Sequence, residues 1–244
     1  MWLYLLTYLY KNNYIKTIIK YKVILSKNKK LFIFLSYIIV TLRLEVITIN
    51  NIIVFFDYNC PFCYISFKIL EDLKNSFNFK CTYKPCELYP FIPQEGLFKE
   101  ELMVGYDVQN LYKKLRILGN RNNIQFGNLD KKYNSHISLL LAEYAQQNNK
   151  ITDFSRELFF QYYINDVDIS NLDILKNICY EVNLDYDKAI YEINNTLESQ
   201  LIKNHKLQEE LDVNIFPTYI INNDLRLSGI ITKKSFLRVF EQLN

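Results

Sequence analysis

The stretch "FFDYNCPFCYISFKIL" (residues 55–70) decides how this chain is read, because it sets Cys60 and Cys63 three positions apart where the residue pattern changes. Upstream, "NIIVFF" (51–56) is a β-branched and aromatic run of the kind that forms a buried strand. Downstream, Ile65, Phe67, Ile69, Leu70 and Leu73 recur at mostly helical spacing. The cysteines therefore fall at the start of a helix. Pro61 suits the first helical position, since its φ is fixed and the N–H it lacks has no partner there anyway.

That placement has chemical consequences. The first N–H groups of a helix lack intrahelical partners, and the helix dipole puts partial positive charge at the same end. Both favour a thiolate, and the leading Cys of a CxxC pair at such a site is depressed to a pKa of roughly 3.5–7. Cys60 is expected to be the exposed nucleophile and Cys63 the sheltered thiol that resolves a mixed disulfide. Two alternatives compete. Cys60, Cys63, Cys81 and Cys86 form C-x2-C-x17-C-x4-C, close to a four-cysteine zinc spacing. Against zinc, Cys81 and Cys86 lie five positions apart in a strand-like run, which points their side chains to opposite faces. The pair could also be plain structural cysteine, the reading given to Cys81, Cys86 and Cys179 individually. The redox couple is favoured, with no metal site.

The remaining pattern frames the pair. "NFKCTYKPCEL" (78–88) reads as a second strand and ends in the Pro-rich "YPFIPQEG". From about Leu97 to Leu211 the chain reads almost wholly helical, with Thr152 (followed by Ser155–Arg156–Glu157), Ser170 and Asp185 as N-cap candidates. "PTYIIN" (217–222), the turn "NND" (222–224), "LRLSG" (225–229) and a helix from about Thr232 complete it. The order is β-α-β, a helical block, then β-β-α: an α/β sheet domain (49–96 and 212–244) carrying a helical insertion (97–211).

"DYNCPFCYI" together with "IFPTYII" resembles the DsbA-like thioredoxin superfamily, and most of all its FrnE-type branch. Relatives of that branch include kappa-class glutathione transferases and 2-hydroxychromene-2-carboxylate isomerases. "YKPCELYPFIPQEG", "NSHISLLLAEYA", "LFFQYYINDVDISNLDIL" and "LSG" add to the resemblance, which runs from about Ile52 to Leu243. It implies a thioredoxin-like fold and a cis Pro217 facing the CxxC. It also implies Phe62, Phe216 and Thr218 at the substrate side, and Asp57 either in proton transfer with Cys63 or capping its loop. No cofactor beyond the Cys60–Cys63 disulfide is implied. The partners would be protein or small thiol and disulfide substrates. His136 opens a helix in "NSH" without matching the family's His position, and is read as a local cap or packing residue.

The sequence departs from the strongest oxidants at Phe62, where DsbA carries a His. Phe62 donates no hydrogen bond to sulfur, so Cys60 is expected to be less acidic than in those proteins, which leaves reductase or isomerase activity open. Cysteine at position 60, where the glutathione-dependent relatives have serine, favours thiol–disulfide exchange over a glutathione-dependent transferase or isomerase. A non-catalytic polypeptide-binding module, using the 16% aromatic content and the helical insert, is the alternative of another class.

Charge separates the first fifty residues from the rest. Residues 1–50 hold seven Lys and one Arg against one Glu, a balance of +7, so the remaining chain must carry −4 to give the net +3. An acidic body argues against a nucleic-acid groove. The uncharged run Leu31–Leu42 is 12 residues long, enough for a signal-type segment and short of the roughly 20 that span a bilayer. Residues 1–48 are read as a targeting or anchoring leader with possible membrane contact, as upstream sequence foreign to the mature domain, or as an integral helix. A working leader implies an exported or membrane-anchored protein, and an extraneous one a cytoplasmic protein.

Overall fold

The computed structural model describes residues 50–243, and the expectations for residues 1–48 lie outside them. Strand β1 (Asn50–Phe56) leads into helix α1 (Pro61–Leu73), which returns to β2 (Phe79–Pro85) parallel to β1. Near the C-terminus, β5 (Thr218–Ile221) and β6 (Leu225–Ser228) form a hairpin, followed by helix α9 (Lys233–Leu243). Asn222, Asn223 and Asp224 connect the two strands; Asn222 and Asn223 take left-handed φ of 53° and 60°, which asparagine tolerates, and the Asp224 N–H donates to the Ile221 carbonyl at 3.1 Å. The four strands join in the order β2-β1-β5-β6, with β5 antiparallel to β1.

Register decides which side chains face the helices. Val54 lies opposite both Tyr83 and Tyr219, and Ile52 opposite Cys81 and Ile221, so these residues share one face of the sheet. Phe67 of α1 meets the Tyr83 ring at 6.1 Å. In α9, Phe236 meets Tyr219 edge-on at 5.0 Å and Phe240 stacks on Phe79 at 5.1 Å. Phe236 and Phe240 are fully buried, and such burial stabilises by about 1.5–3 kcal/mol per side chain.

Between β2 and β5 lie α2 (Lys99–Leu102), α3 (Val108–Asn120), α4 (His136–Gln147), α5 (Ile151–Tyr163), α6 (Leu172–Glu181), α7 (Tyr186–Glu192) and α8 (Glu198–Glu210). A wide π-helical turn, Ile193–Leu197, joins α7 to α8. Asp185 caps α7, accepting from the Lys188 N–H at 3.0 Å, as its position suggested, whereas Thr152 lies inside α5 behind the N-cap Lys150 and Asn171, one residue after Ser170, caps α6. The segment is not wholly helical, however. Strands β3 (Leu97–Phe98) and β4 (Lys131–Lys132) form a two-residue antiparallel ribbon, too short for any period to register in the sequence. Among the described residues no helix is long and apolar enough to cross a membrane.

Two polar devices fasten these helices to the sheet. Strand β2 is an edge, and an open edge invites pairing with another chain. Gln146 of α4 covers it: the Tyr83 N–H donates to Oε1 at 2.7 Å, and Nε2 donates to the Tyr83 carbonyl at 2.9 Å. The side-chain amide thus stands in for one residue of a further strand. The second device is His136, the first residue of α4, which serves as an ion-pair residue while Ser135 holds the N-cap position. Its Nδ1 lies 3.1 Å from Glu87 and its Nε2 2.9 Å from Glu198. The hydrogen bond to Glu87 is the largest influence raising His136 to about 9, and the same bond leads in lowering Glu87 to about 2.

Gln146→Ala leaves both Tyr83 backbone groups without their partner, and is expected to cost about 1–3 kcal/mol in urea unfolding. The His136–Glu87 pair carries its own pH signature. A raised histidine contributes fully below its unfolded value of 6.5 and loses that contribution as pH rises through about 9. A lowered carboxylate contributes above 4.5 and loses it as pH falls through about 2. The Tm advantage of wild type over His136→Leu should therefore be widest between pH 4.5 and 6.5 and shrink toward pH 9.

Candidate active site

Cys60 occupies the N-cap of α1 with extended backbone (φ −94°, ψ 107°), and Pro61 takes the first helical position. The Cys60 N–H donates to the Asp57 carbonyl at 3.1 Å and the Cys63 N–H to the Cys60 carbonyl at 2.9 Å. These bonds wind the chain so that both free thiols lie at the helix mouth. Burial first, and the neighbouring Cys60 thiol second, push the Cys63 thiol well above its usual range.

One expectation fails here. Cys60 is not an exposed nucleophile: it is 3% accessible, the same as Cys63. The loop before β5 lies against it, and the Cys60 thiol donates to the Phe216 carbonyl at 3.5 Å. The Phe216–Pro217 bond is cis, as the resemblance implied. Phe216 thus meets the thiol through its backbone, and the residue itself is buried. The Gly229 N–H braces the loop from the far side, donating to the Pro217 carbonyl at 2.8 Å. Gly229 sits at φ 77°, which explains the glycine of "LSG".

Thr218 does not fit a substrate contact. It is fully buried, and its hydroxyl donates to the Ile215 carbonyl at 2.6 Å and bonds the Ser228 hydroxyl at 2.9 Å, so it shapes the loop from within. Phe62 is half-buried and packs against the core, leaving part of its ring at the surface.

Asp57 is fully buried, and its reading as a loop cap has a structural counterpart. Its carboxylate caps the loops on either side, accepting from the Asn59 N–H at 2.9 Å and the Leu88 N–H at 2.6 Å. Burial outweighs those bonds and pushes its carboxyl up to about 6. The same group bears electrostatically on Cys63.

Lys132 is a site residue that the sequence reading missed. It lies in the short strand β4 and is 3% accessible. Its Nζ donates to the carbonyl of Asn59, the residue before Cys60, at 2.9 Å, and sits 5.2 Å and 5.5 Å from the ring centroids of Tyr163 and Tyr162. Those tyrosines hold the same loop. Tyr163 donates to the Tyr58 carbonyl at 2.8 Å, and Tyr162 to the Asn59 side chain at 2.9 Å. The backbone entering Cys60 is thus fixed from α5 and β4 together.

The four-cysteine zinc arrangement does not form. Among the described residues no group of three or more His, Cys, Asp and Glu side chains is placed to hold a metal. Cys81 lies in β2, while Cys86 and Cys179 are buried, all three pushed up by burial, Cys81 and Cys179 to about 12.

The comparisons agree with this geometry. The sequence pattern of the DSBA-like thioredoxin domain matches residues 51–237. A relative in Bacillus subtilis (strain 168), the uncharacterized protein YwbO, is 26% identical over 192 residues, which cover 76% of this chain and 93% of that one. Two solved structures share the fold. A probable DsbA oxidoreductase of Streptomyces coelicolor superimposes with a TM-score of 0.71 at 12% identity, over 79% of this chain and 89% of that one. A 2-hydroxychromene-2-carboxylate isomerase does so with a TM-score of 0.63 at 14% identity, over 79% and 94%. By the family match over residues 51–237, the chain belongs to the DSBA-like thioredoxin domain family.

Proposed function

We propose that this protein is a thiol–disulfide oxidoreductase that exchanges disulfides with protein substrates through Cys60 and Cys63. The observation that carries this reading is the position of the Cys60 sulfur, at a helix N-cap, 3.5 Å from the carbonyl preceding a cis proline and one helical turn from a second free thiol, Cys63. The same reading treats residues 97–211 as an insertion within a thioredoxin-like frame of 49–96 and 212–244.

The chemistry needs no bound cofactor, because the electrons reside on the two sulfurs. The Cys60 thiolate attacks one sulfur of a substrate disulfide. An S–S bond forms to Cys60, and the other substrate sulfur leaves as a thiolate. Cys63 then gives up its proton and attacks Cys60, releasing the second substrate thiolate. The substrate has gained two electrons and the protein holds a Cys60–Cys63 disulfide; run backward, the sequence oxidises a substrate dithiol. Backbone beside Pro217 is suited to pair with an extended substrate segment, with Phe62 and Phe216 bordering it. Asp57 is the base for Cys63. It is buried close to that thiol, and a carboxyl near 6 is ionised at neutral pH yet basic enough to accept a proton. A cytosolic disulfide reductase, DsbM of Pseudomonas aeruginosa, shares the fold with a TM-score of 0.60 over 80% of this chain and all of that one, at 14% identity.

Cys60→Ala is expected to abolish insulin disulfide reduction, whereas Cys63→Ala accumulates a mixed disulfide at Cys60. Undiminished turnover by Cys60→Ala would exclude the proposal. Asp57→Asn is expected to slow resolution of the mixed disulfide by about 10²-fold and to remove the fall in rate that wild type shows as pH drops below about 6. Its stability should move the other way. A carboxyl raised above its unfolded value of 3.8 destabilises the fold as pH climbs through about 6. Asp57→Asn should therefore compare more favourably with wild type in Tm at pH 7.5 than at pH 4.

A further inference from the structure

We propose that Lys132 is the cation that stabilises the Cys60 thiolate and thereby makes the pair more oxidising, a task that Phe62 within the motif does not perform. The inference rests on the disulfide-exchange reading above and adds an electrostatic positioning residue to it.

A buried lysine ordinarily has an ionic partner, because stripping water from an ammonium costs several kcal/mol. Lys132 is buried, yet among the described residues no carboxylate forms a salt bridge with it. Its hydrogen bonds go to neutral groups: the Asn59 carbonyl at 2.9 Å and the Tyr163 hydroxyl at 3.5 Å. The faces of Tyr162 and Tyr163 complete the cage, and burial holds both phenols well above their usual range, hence neutral.

Two nearby groups can carry negative charge toward this cage, Cys60 in first place and Asp57 in second. The remaining charged neighbour, Lys99, opposes Lys132, but its own charge is met by Asp130 at 2.6 Å. Burial lowers Lys132 to about 8, which leaves it mostly charged at neutral pH. The ammonium is also fixed in place. Gly96 runs so close to β4 that a Cβ there would lie 2.7 Å from the Lys132 carbonyl, and the Asn59 carbonyl holds the other end one residue from Cys60.

The energetic effect follows from charge balance. Reduction of the Cys60–Cys63 disulfide takes two electrons from a substrate dithiol and retains one proton, leaving a thiolate at Cys60 and a thiol at Cys63; the substrate's second proton goes to solvent. The oxidised pair is neutral, so a fixed positive charge beside Cys60 stabilises only the reduced form. A pair whose reduced form is stabilised is a stronger oxidant.

The test uses the full-length protein and three forms: wild type, Lys132→Met and Lys132→Gln. Gln removes the charge but keeps a donor for the Asn59 carbonyl. The reduced proteins are alkylated with iodoacetamide across a pH series, read by the mass of the peptide carrying residue 60. Each is also equilibrated with glutathione buffers. Both variants are expected to shift the alkylation midpoint upward by about one pH unit, a roughly tenfold slower reaction on the acidic limb. The same tenfold change should appear in the redox equilibrium, about 30 mV toward a more negative potential.

A midpoint in Lys132→Gln equal to wild type overturns the proposal, even if Lys132→Met shifts, because the loss would then belong to the hydrogen bond. If Lys132→Met fails to fold, Lys132→Gln alone decides. Failure of the underlying function looks different: wild type that does not exchange disulfides with insulin defeats the catalytic reading, whether or not the alkylation midpoint responds to Lys132.

Discussion

The antiparallel pairing of β1 with β5 is the constraint on which the site depends. Its register sets Phe55 opposite Thr218, so the chain leaving β1 toward Cys60 and the chain entering β5 through Pro217 emerge at the same end of the sheet. The 3.5 Å approach of the Cys60 sulfur to the Phe216 carbonyl follows from that register. A slip of β5 by one residue would turn Tyr219 out of the core and carry the proline loop away from the sulfur. The hydroxyl of Thr218 and the amide of Gly229 hold the loop once the strands have placed it.

Around that contact the protein gathers titratable groups where water is excluded. Asp57, Lys132, Cys60 and Cys63 are all buried, and each bears electrostatically on at least one of the others. In a medium of low effective dielectric such interactions are several times stronger than at the surface. The aromatic-rich α5 provides this medium. Phe159 stacks on Tyr64 at 5.2 Å, and Tyr163 on Tyr64 at 5.7 Å, walling the helix that carries both cysteines. The segment between β2 and β5 thus walls the cysteine pair, since Lys132, Tyr162 and Tyr163 all belong to it.

Much of this was legible in the sequence where local chemistry determines structure. Pro61 after Cys60, the β-branched run before it and the asparagines of the last hairpin each specify a backbone state by themselves, and the structure places them accordingly. Lys132 was not legible. A two-residue strand has no period, and one lysine among 29 basic residues looks like a solvated surface group. Its burial depends on tyrosines some thirty positions downstream. Gln146 was hidden for the same reason, because its role exists only once β2 becomes an edge. The sheltered state of Cys60 and the inward turn of Thr218 likewise arise from the β5 loop folding over the helix mouth, a long-range contact that no local pattern reports.

The most direct test of the account is a glutathione redox titration of the purified protein, with thiols blocked by acid quenching and the peptides mapped by mass. The account predicts a single reversible two-electron transition in which the peptide containing residues 60 and 63 loses two hydrogens as an internal disulfide, while Cys81, Cys86 and Cys179 remain thiols. If Cys60 and Cys63 stay separate thiols, or each is glutathionylated without closing a bond to the other, the account is contradicted.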